Sequence, residues 1–178
     1  MVYHLKKKTS IKNILQEYKF IFNKINNNKY GYYYEYIDDN KKIIFLTQSG
    51  FKQFFNIKFN IKIHKNPDEA FIIIKNETYT IKILEKKNQN VEGSVEDKLK
   101  TGAFNRNEYT RIFKKYNFPK EYNIHYAFCI SNFLKNKFES NDIKYIIMKE
   151  IMKEDNIDIF YGEDENYFSL LLEWIELV

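Results

Sequence analysis

The sequence predicts an α/β domain in which a mixed β-sheet is covered by helices on both sides. Three observations carry that expectation. Residues 70–74 and 79–87 read as two strands around the turn-like Lys75-Asn76-Glu77-Thr78, which makes an antiparallel hairpin. Residues 124–130 (IHYAFCI) form a nearly continuous apolar run, the mark of a strand covered on both faces. Segments with helical spacing stand before the strands and between the later ones, as an α/β fold requires.

In chain order, Thr9 or Ser10 is placed to cap a helix in which Ile11, Ile14, Leu15, Tyr18, Phe22 and Ile25 recur at helical spacing. That helix ends in the run Asn26-Asn27-Asn28. Residues 32–37 and 42–46 read as strands around Asp38-Asp39-Asn40, Gly50 interrupts, residues 51–55 form a short helix, and 56–64 alternate as a further strand. Pro67 punctuates the chain before the hairpin. From Val91 the pattern turns helical, with Val95 and Leu99 on one side, and residues 108–116 form another helix after Gly102. After the buried strand, Asn141 or Asp142 caps a helix to about Lys153. Residues 157–161 (IDIFY) are a short strand, and Asp164 caps a last amphipathic helix reaching Trp174 and beyond. No repeat or linker breaks this order, so one domain over residues 1–178 is expected.

Composition narrows the function classes. The chain is 44% hydrophobic, 30% charged and 18% aromatic, which belongs to a folded globular protein and not to a disordered polymer. Its net charge of +5 favours polyanionic partners. Cys129 is the only cysteine, so no intrachain disulfide or thiolate zinc site forms, and a reducing, cytoplasmic setting is expected. His4, His64 and His125 show no metal-ligand spacing, and with Cys129 they build no nucleophilic triad. Residues 11–22 are broken by Lys12, Asn13, Gln16, Glu17 and Lys19, so no membrane span is expected. The absence of a Gly-rich phosphate loop argues against a nucleotide cofactor.

The hairpin carries the chemistry. If its turn centres on Asn76-Glu77, directly opposed residues have numbers adding to 153. Ala70 then faces Ile83, Ile72 faces Ile81 and Ile74 faces Tyr79. Asp68 falls opposite Glu85, with β-carbons roughly 4.5–5.5 Å apart. Lys87 shares the face of Glu85 because side chains alternate along a strand. Two carboxylates so close repel, and at the end of an apolar face they are costly to desolvate, so a cation between them is needed. Oxygen ligands without His or Cys suit Mg²⁺, which is held by one or two carboxylates with a substrate phosphate completing its shell. An amine beside that metal can orient a water nucleophile and offset charge developing at phosphorus.

Pro67-Asp68 followed by Glu85-Lys86-Lys87, extended by Gln89 to EXKXQ, resembles the motif of the PD-(D/E)XK nucleases. The runs NQNVEGSVEDKL and IDIFYGEDENYFSLLLEWI are similar to segments of small type II restriction endonucleases. The resemblance implies an αβββαβ restriction-endonuclease-like core. It also implies Mg²⁺ ligation by Asp68 and Glu85, catalysis by Lys87, and a supporting or phosphate-binding role for Gln89. An acid from the first helix completes the metal shell in several members of the fold, and Glu17 is the candidate by position. Gly93, Ser94 and Lys98 offer donors to a DNA phosphate at the following helix. Asn88, Asn90 and residues 105–107 carry groups suited to reading bases.

The expected activity is therefore Mg²⁺-dependent hydrolysis of double-stranded DNA at a short site, by a homodimer where the site is palindromic. Two alternatives stay open. One is a structure-selective repair or recombination nuclease of the same fold; the other is a basic DNA-binding protein without catalysis.

Overall fold

The computed structural model of the chain describes residues 5, 8–15, 17–24, 32–89 and 95–177. It is an α/β protein with one seven-stranded mixed sheet of strand order β1-β2-β3-β4-β5-β6-β7 and, among the described residues, six α-helices. The chain forms two compact units. One, here the hairpin unit, comprises Lys12–Leu84 and Asn107–His125; the other, the helical unit, comprises Met1–Ile11, Glu85–Arg106 and Tyr126–Val178.

The hairpin unit is an antiparallel meander of β1 (Ile21–Lys24), β2 (Tyr32–Ile37), β3 (Lys42–Thr47), β4 (Glu69–Lys75) and the first part of β5 (Thr78–Lys87). Asp38 fixes the β2–β3 turn: its Oδ1 accepts from the backbone N–H of Asn40 and of Lys41, both at 2.8 Å. In β3, Ile43, Ile44, Phe45 and Leu46 are all buried, so both faces of this strand are covered. Helix α1 (Gln48–Phe59) lays Phe51, Phe54 and Phe55 against the core. Phe55 meets Phe113 with ring centroids 4.8 Å apart, and Phe59 meets Phe118 at 4.8 Å. Helix α1 stops at Asn60, whose φ of 55° is the left-handed cap conformation that asparagine tolerates.

Over residues 69–75 and 78–84 the β4–β5 hairpin has the expected register. Ala70 pairs with Ile83, Ile72 with Ile81 and Ile74 with Tyr79, and the pairing runs from Lys75 and Thr78 to Glu69 and Leu84. Asn76 and Glu77 have φ of 47° and 64°, so the two-residue connection turns with both central residues left-handed, the twist that suits a tight hairpin.

The helical unit contains α2 (Val95–Leu99), the end of β6 (Tyr122–Ile130), α4 (Asn132–Phe138), α5 (Ile143–Glu154), β7 (Ile157–Tyr161) and α6 (Tyr167–Trp174). Helix α3 (Gly102–Lys115), like β5 and β6, begins in one unit and continues in the other. Strands β6 and β7 are parallel, with Tyr126 opposite Ile157 and Ile130 opposite Tyr161, and α4 and α5 make the crossover that parallel strands need. Asp142 caps α5 by accepting from the Lys144 N–H at 2.9 Å, as expected. Gly162 follows β7 where no side chain fits: a β-carbon there would lie 2.6 Å from Cys129 Sγ and 2.7 Å from Thr9 Cγ2.

Four local expectations are corrected. The first helix, expected from Ile11 onward, is a 3-10 turn (Ile11–Asn13) followed by turns and then β1. The apolar spacing there serves an edge strand, where Phe22 packs on Tyr34 at 5.3 Å, and Lys19 with φ of 58° redirects the chain into it. Residues 56–59 belong to α1 and not to a strand, because Phe54, Phe55 and Phe59 share a helix face while Ile57, part of the alternation, is exposed. Helix α4 lies in a segment with no expected element. The last helix begins at Tyr167 after Asn166, three residues beyond the expected Asp164 cap. No described helix is long and apolar enough to cross a membrane.

Candidate functional site

The helical unit holds the end of β5, and alternation along it sorts three charged residues. Glu85 and Lys87 fall on one face, and Lys86 between them falls on the other. Glu85 is 8% exposed. Lys87 bridges back to it, Nζ to Oε2 at 2.8 Å, and also stands 5.9 Å from the centroid of the Phe128 ring. Oε2 is the engaged oxygen of Glu85; Oε1 has no hydrogen bond among the described residues. A buried carboxylate with one oxygen committed to an ammonium and a second oxygen available is a donor set that suits a hard cation.

Lys86 does not act as a solvated edge charge. It is 4% exposed and its Nζ donates to the Thr9 carbonyl at 2.9 Å, where Tyr167 Oη also donates at 3.1 Å. Its ammonium is thereby spent on tying Thr9 to the strand, which leaves Lys87 as the amine of the EXK triplet that faces Glu85.

Just past β5, Gln89 is buried and locked by its backbone. Its N–H donates to Ser131 Oγ at 3.3 Å, and Ser131 Oγ donates to the Gln89 carbonyl at 2.8 Å. The Ser131 N–H in turn donates to the Lys87 carbonyl at 3.3 Å. One hydroxyl at the end of β6 therefore holds the strand end that carries Glu85, Lys87 and Gln89. Ser131 was not singled out from the sequence; its signal was a small hydroxyl residue directly after a continuous apolar strand.

In the hairpin unit, Asp68 is half-buried and stands one residue before β4. Glu69, which alternation sets on the other face, is 5% exposed and pairs across the sheet with Thr47 and with Leu84. Glu17 is an exposed turn residue and not a member of a first helix, so its expected position in the fold is corrected. Lys98 is exposed on α2. Asn90, Gly93 and Ser94 lie outside the described residues. Among the described residues no group of three or more His, Cys, Asp or Glu gathers to hold a metal ion.

A second buried carboxylate of the helical unit stands on α2. Glu96 accepts from Lys144 Nζ and from Tyr145 Oη, the latter at 2.6 Å, both from α5. The Lys144 and Tyr145 hydrogen bonds hold its pKa below the ordinary carboxylate value, and burial opposes them. This trio staples α2 to α5 and shows no free polar group aimed at a ligand. Its members were invisible in the sequence because they lie far apart in the chain.

No protein-family model, curated protein or solved structure matches this chain.

Proposed function

We propose that the protein is a Mg²⁺-dependent DNA endonuclease, with the properties of a small type II restriction enzyme, and that Glu85 and Lys87 are its catalytic pair. The observation that carries this reading is the buried Glu85 carboxylate bridged by the amine two residues along its own strand. Glu85 would hold the metal, and Asp68, proposed on the strength of the Pro67-Asp68 motif, would be the second carboxylate. A bound magnesium ion would supply Lewis-acid polarisation and a water of lowered pKa.

The chain's own residues would do the rest. Lys87 would donate to the attacking water or to a phosphate oxygen as negative charge grows there. Phe128 beside the Lys87 amine limits its hydration and keeps the charge close to the site. Ser131 fixes the strand end, so the amine and carboxylate keep their relative placement. A palindromic site would be served by a two-fold homodimer delivering one such pair per strand.

The Glu85–Lys87 ion pair also neutralises itself, which favours as a second reading a DNA-binding protein in which the pair is structural. Incubation of a sequenced plasmid with Mg²⁺ or with EDTA, followed by end mapping, separates the two. The nuclease reading predicts discrete fragments with 5′-phosphate ends in Mg²⁺ alone. Intact plasmid in both conditions, with binding indifferent to the metal, refutes it.

A further inference from the structure

The hairpin unit has an open groove with basic and amide side chains along it that the proposed catalysis does not use. Helix α1 turns Phe51, Phe54 and Phe55 inward, which sets Lys52 and Asn56, four residues apart, on its outer side with Gln53 at the border. After Asn60 the chain leaves the helix without regular structure, and Ile61 and Ile63 are buried at 0% and 1% exposure. Alternation then forces Lys62 and His64 outward. Lys52, Gln53, Asn56, Lys62, Ile63 and His64 together line an open groove of about 510 Å³.

Its charge is one-sided. Among the described residues no acid lines it, and the neighbouring Glu108 is already engaged by His64 at 2.8 Å and Lys65 at 3.6 Å. Lys52 and Lys62 form no ion pair among the described residues. Gln53 Oε1 is shielded from solvent and has no hydrogen-bond partner among the described residues. A shielded acceptor left unmet is costly, so a rotation that turns the Gln53 amide to meet a ligand N–H in the groove breaks no hydrogen bond of Oε1 and relieves that cost. The occupant must therefore combine negative charge for the two ammonium groups with a donor edge for the amide. A nucleic-acid strand does both: its phosphates suit Lys52 and Lys62, and a base edge with an amine beside an acceptor, as in adenine, suits a glutamine amide.

We propose that this groove binds a nucleic-acid strand, Lys52 and Lys62 meeting successive phosphates and the Gln53 amide meeting a base edge. Identification of that strand as duplex DNA rests on the endonuclease reading; the groove's chemistry stands without it.

The test is fluorescence anisotropy of a labelled duplex DNA in EDTA across a salt series, so that no cleavage intervenes. The K52A/K62A variant is expected to bind about tenfold or more weakly and to lower the slope of log affinity against log salt by about two, because each phosphate that a lysine neutralises contributes about 0.9 to that slope. Each single variant, K52A or K62A, gives about half that change in slope. K114A/K115A, which removes the same charge from exposed positions on α3, leaves the slope closer to that of the wild type. Q53L keeps the slope and flattens the protein's ranking of a randomised duplex pool.

Four results overturn the proposal: no binding of duplex or of single-stranded DNA by the wild type, wild-type binding by K52A/K62A, an equal loss in K114A/K115A, or full displacement of the duplex by millimolar adenosine monophosphate, which would make the groove a mononucleotide pocket. Both lysines are exposed, and unchanged circular dichroism confirms that the variants fold. Groove-dependent binding without Mg²⁺-dependent cleavage would refute the nuclease reading alone. Lys87-dependent cleavage with binding unaffected by K52A/K62A would refute the groove alone.

Discussion

Lys87 Nζ lies 2.8 Å from Glu85 Oε2, two residues back along the same strand, with side-chain exposures of 20% and 10%. The pair is buried enough that either member alone is a liability. Lys87→Met leaves a desolvated carboxylate without its cation and is expected to cost about 3–5 kcal/mol. The double variant Glu85→Gln with Lys87→Met removes both charges and is expected to recover most of that loss while remaining inactive. Urea denaturation of the wild type, Lys87→Met, Glu85→Gln and the double variant measures the coupling; additive losses would show that the pair does not interact in solution.

The β4–β5 turn is strained at Glu77, a non-glycine residue at φ of 64°. Glycine adopts that conformation without a Cβ clash, and the ion pair of Glu77 with Lys120 is 3.5 Å long with Glu77 86% exposed, so little is lost with the side chain. Glu77→Gly is expected to stabilise the protein by about 1 kcal/mol. A lower denaturation midpoint would show that the turn is not left-handed at this position.

Glu96 links folding to acidity. Its folded pKa is depressed by Lys144 and Tyr145, so the stabilisation it gives is complete above the ordinary carboxylate pKa and is lost as pH falls through the lower, folded value. Glu96→Gln is expected to be less stable than the wild type at neutral pH and to converge on it as the pH falls. Chemical denaturation from pH 7 down to about 3 records the difference. Parallel curves would show that Glu96 is not ionised in this staple.

Gly162 is fixed by sterics and not by backbone conformation. A methyl group there would meet Cys129 Sγ at 2.6 Å and Thr9 Cγ2 at 2.7 Å, two buried groups with little room to retreat. Gly162→Ala is expected to lower stability by about 1–3 kcal/mol, and pairing it with Cys129→Ala should restore part of the loss. An unchanged thermal midpoint for Gly162→Ala would contradict this packing.

The hairpin was legible in the sequence because two local signals agreed: the β-branched residues concentrated in residues 70–74 and 79–83, and a polar two-residue turn that fixed the register. The parallel strand β7 and the Asp142 cap were legible for the same local reasons. The first helix was misread because isoleucine and aromatic residues serve a helix face and an edge strand equally, and only pairing with β2 decides between them. The strand expected at residues 56–64 failed when a helix gave Phe55 and Phe59 a common aromatic partner in Phe118, with Phe113 also against Phe55. Glu85 and Lys87 were legible by strand alternation. The burial of Lys86 on Thr9 and the hold of Ser131 on Gln89 were not, since each joins residues distant in the chain.

The central claim, that Glu85 and Lys87 act on DNA with a bound magnesium ion, is tested most directly by single-turnover cleavage of a labelled plasmid by the wild type and by Lys87→Ala. The account predicts cutting by the wild type in Mg²⁺ alone and a loss of about 100-fold or more in the variant, with its affinity for DNA measured in EDTA retained. Cutting by Lys87→Ala at the wild-type rate, or no cutting by the folded, DNA-binding wild type, would contradict it.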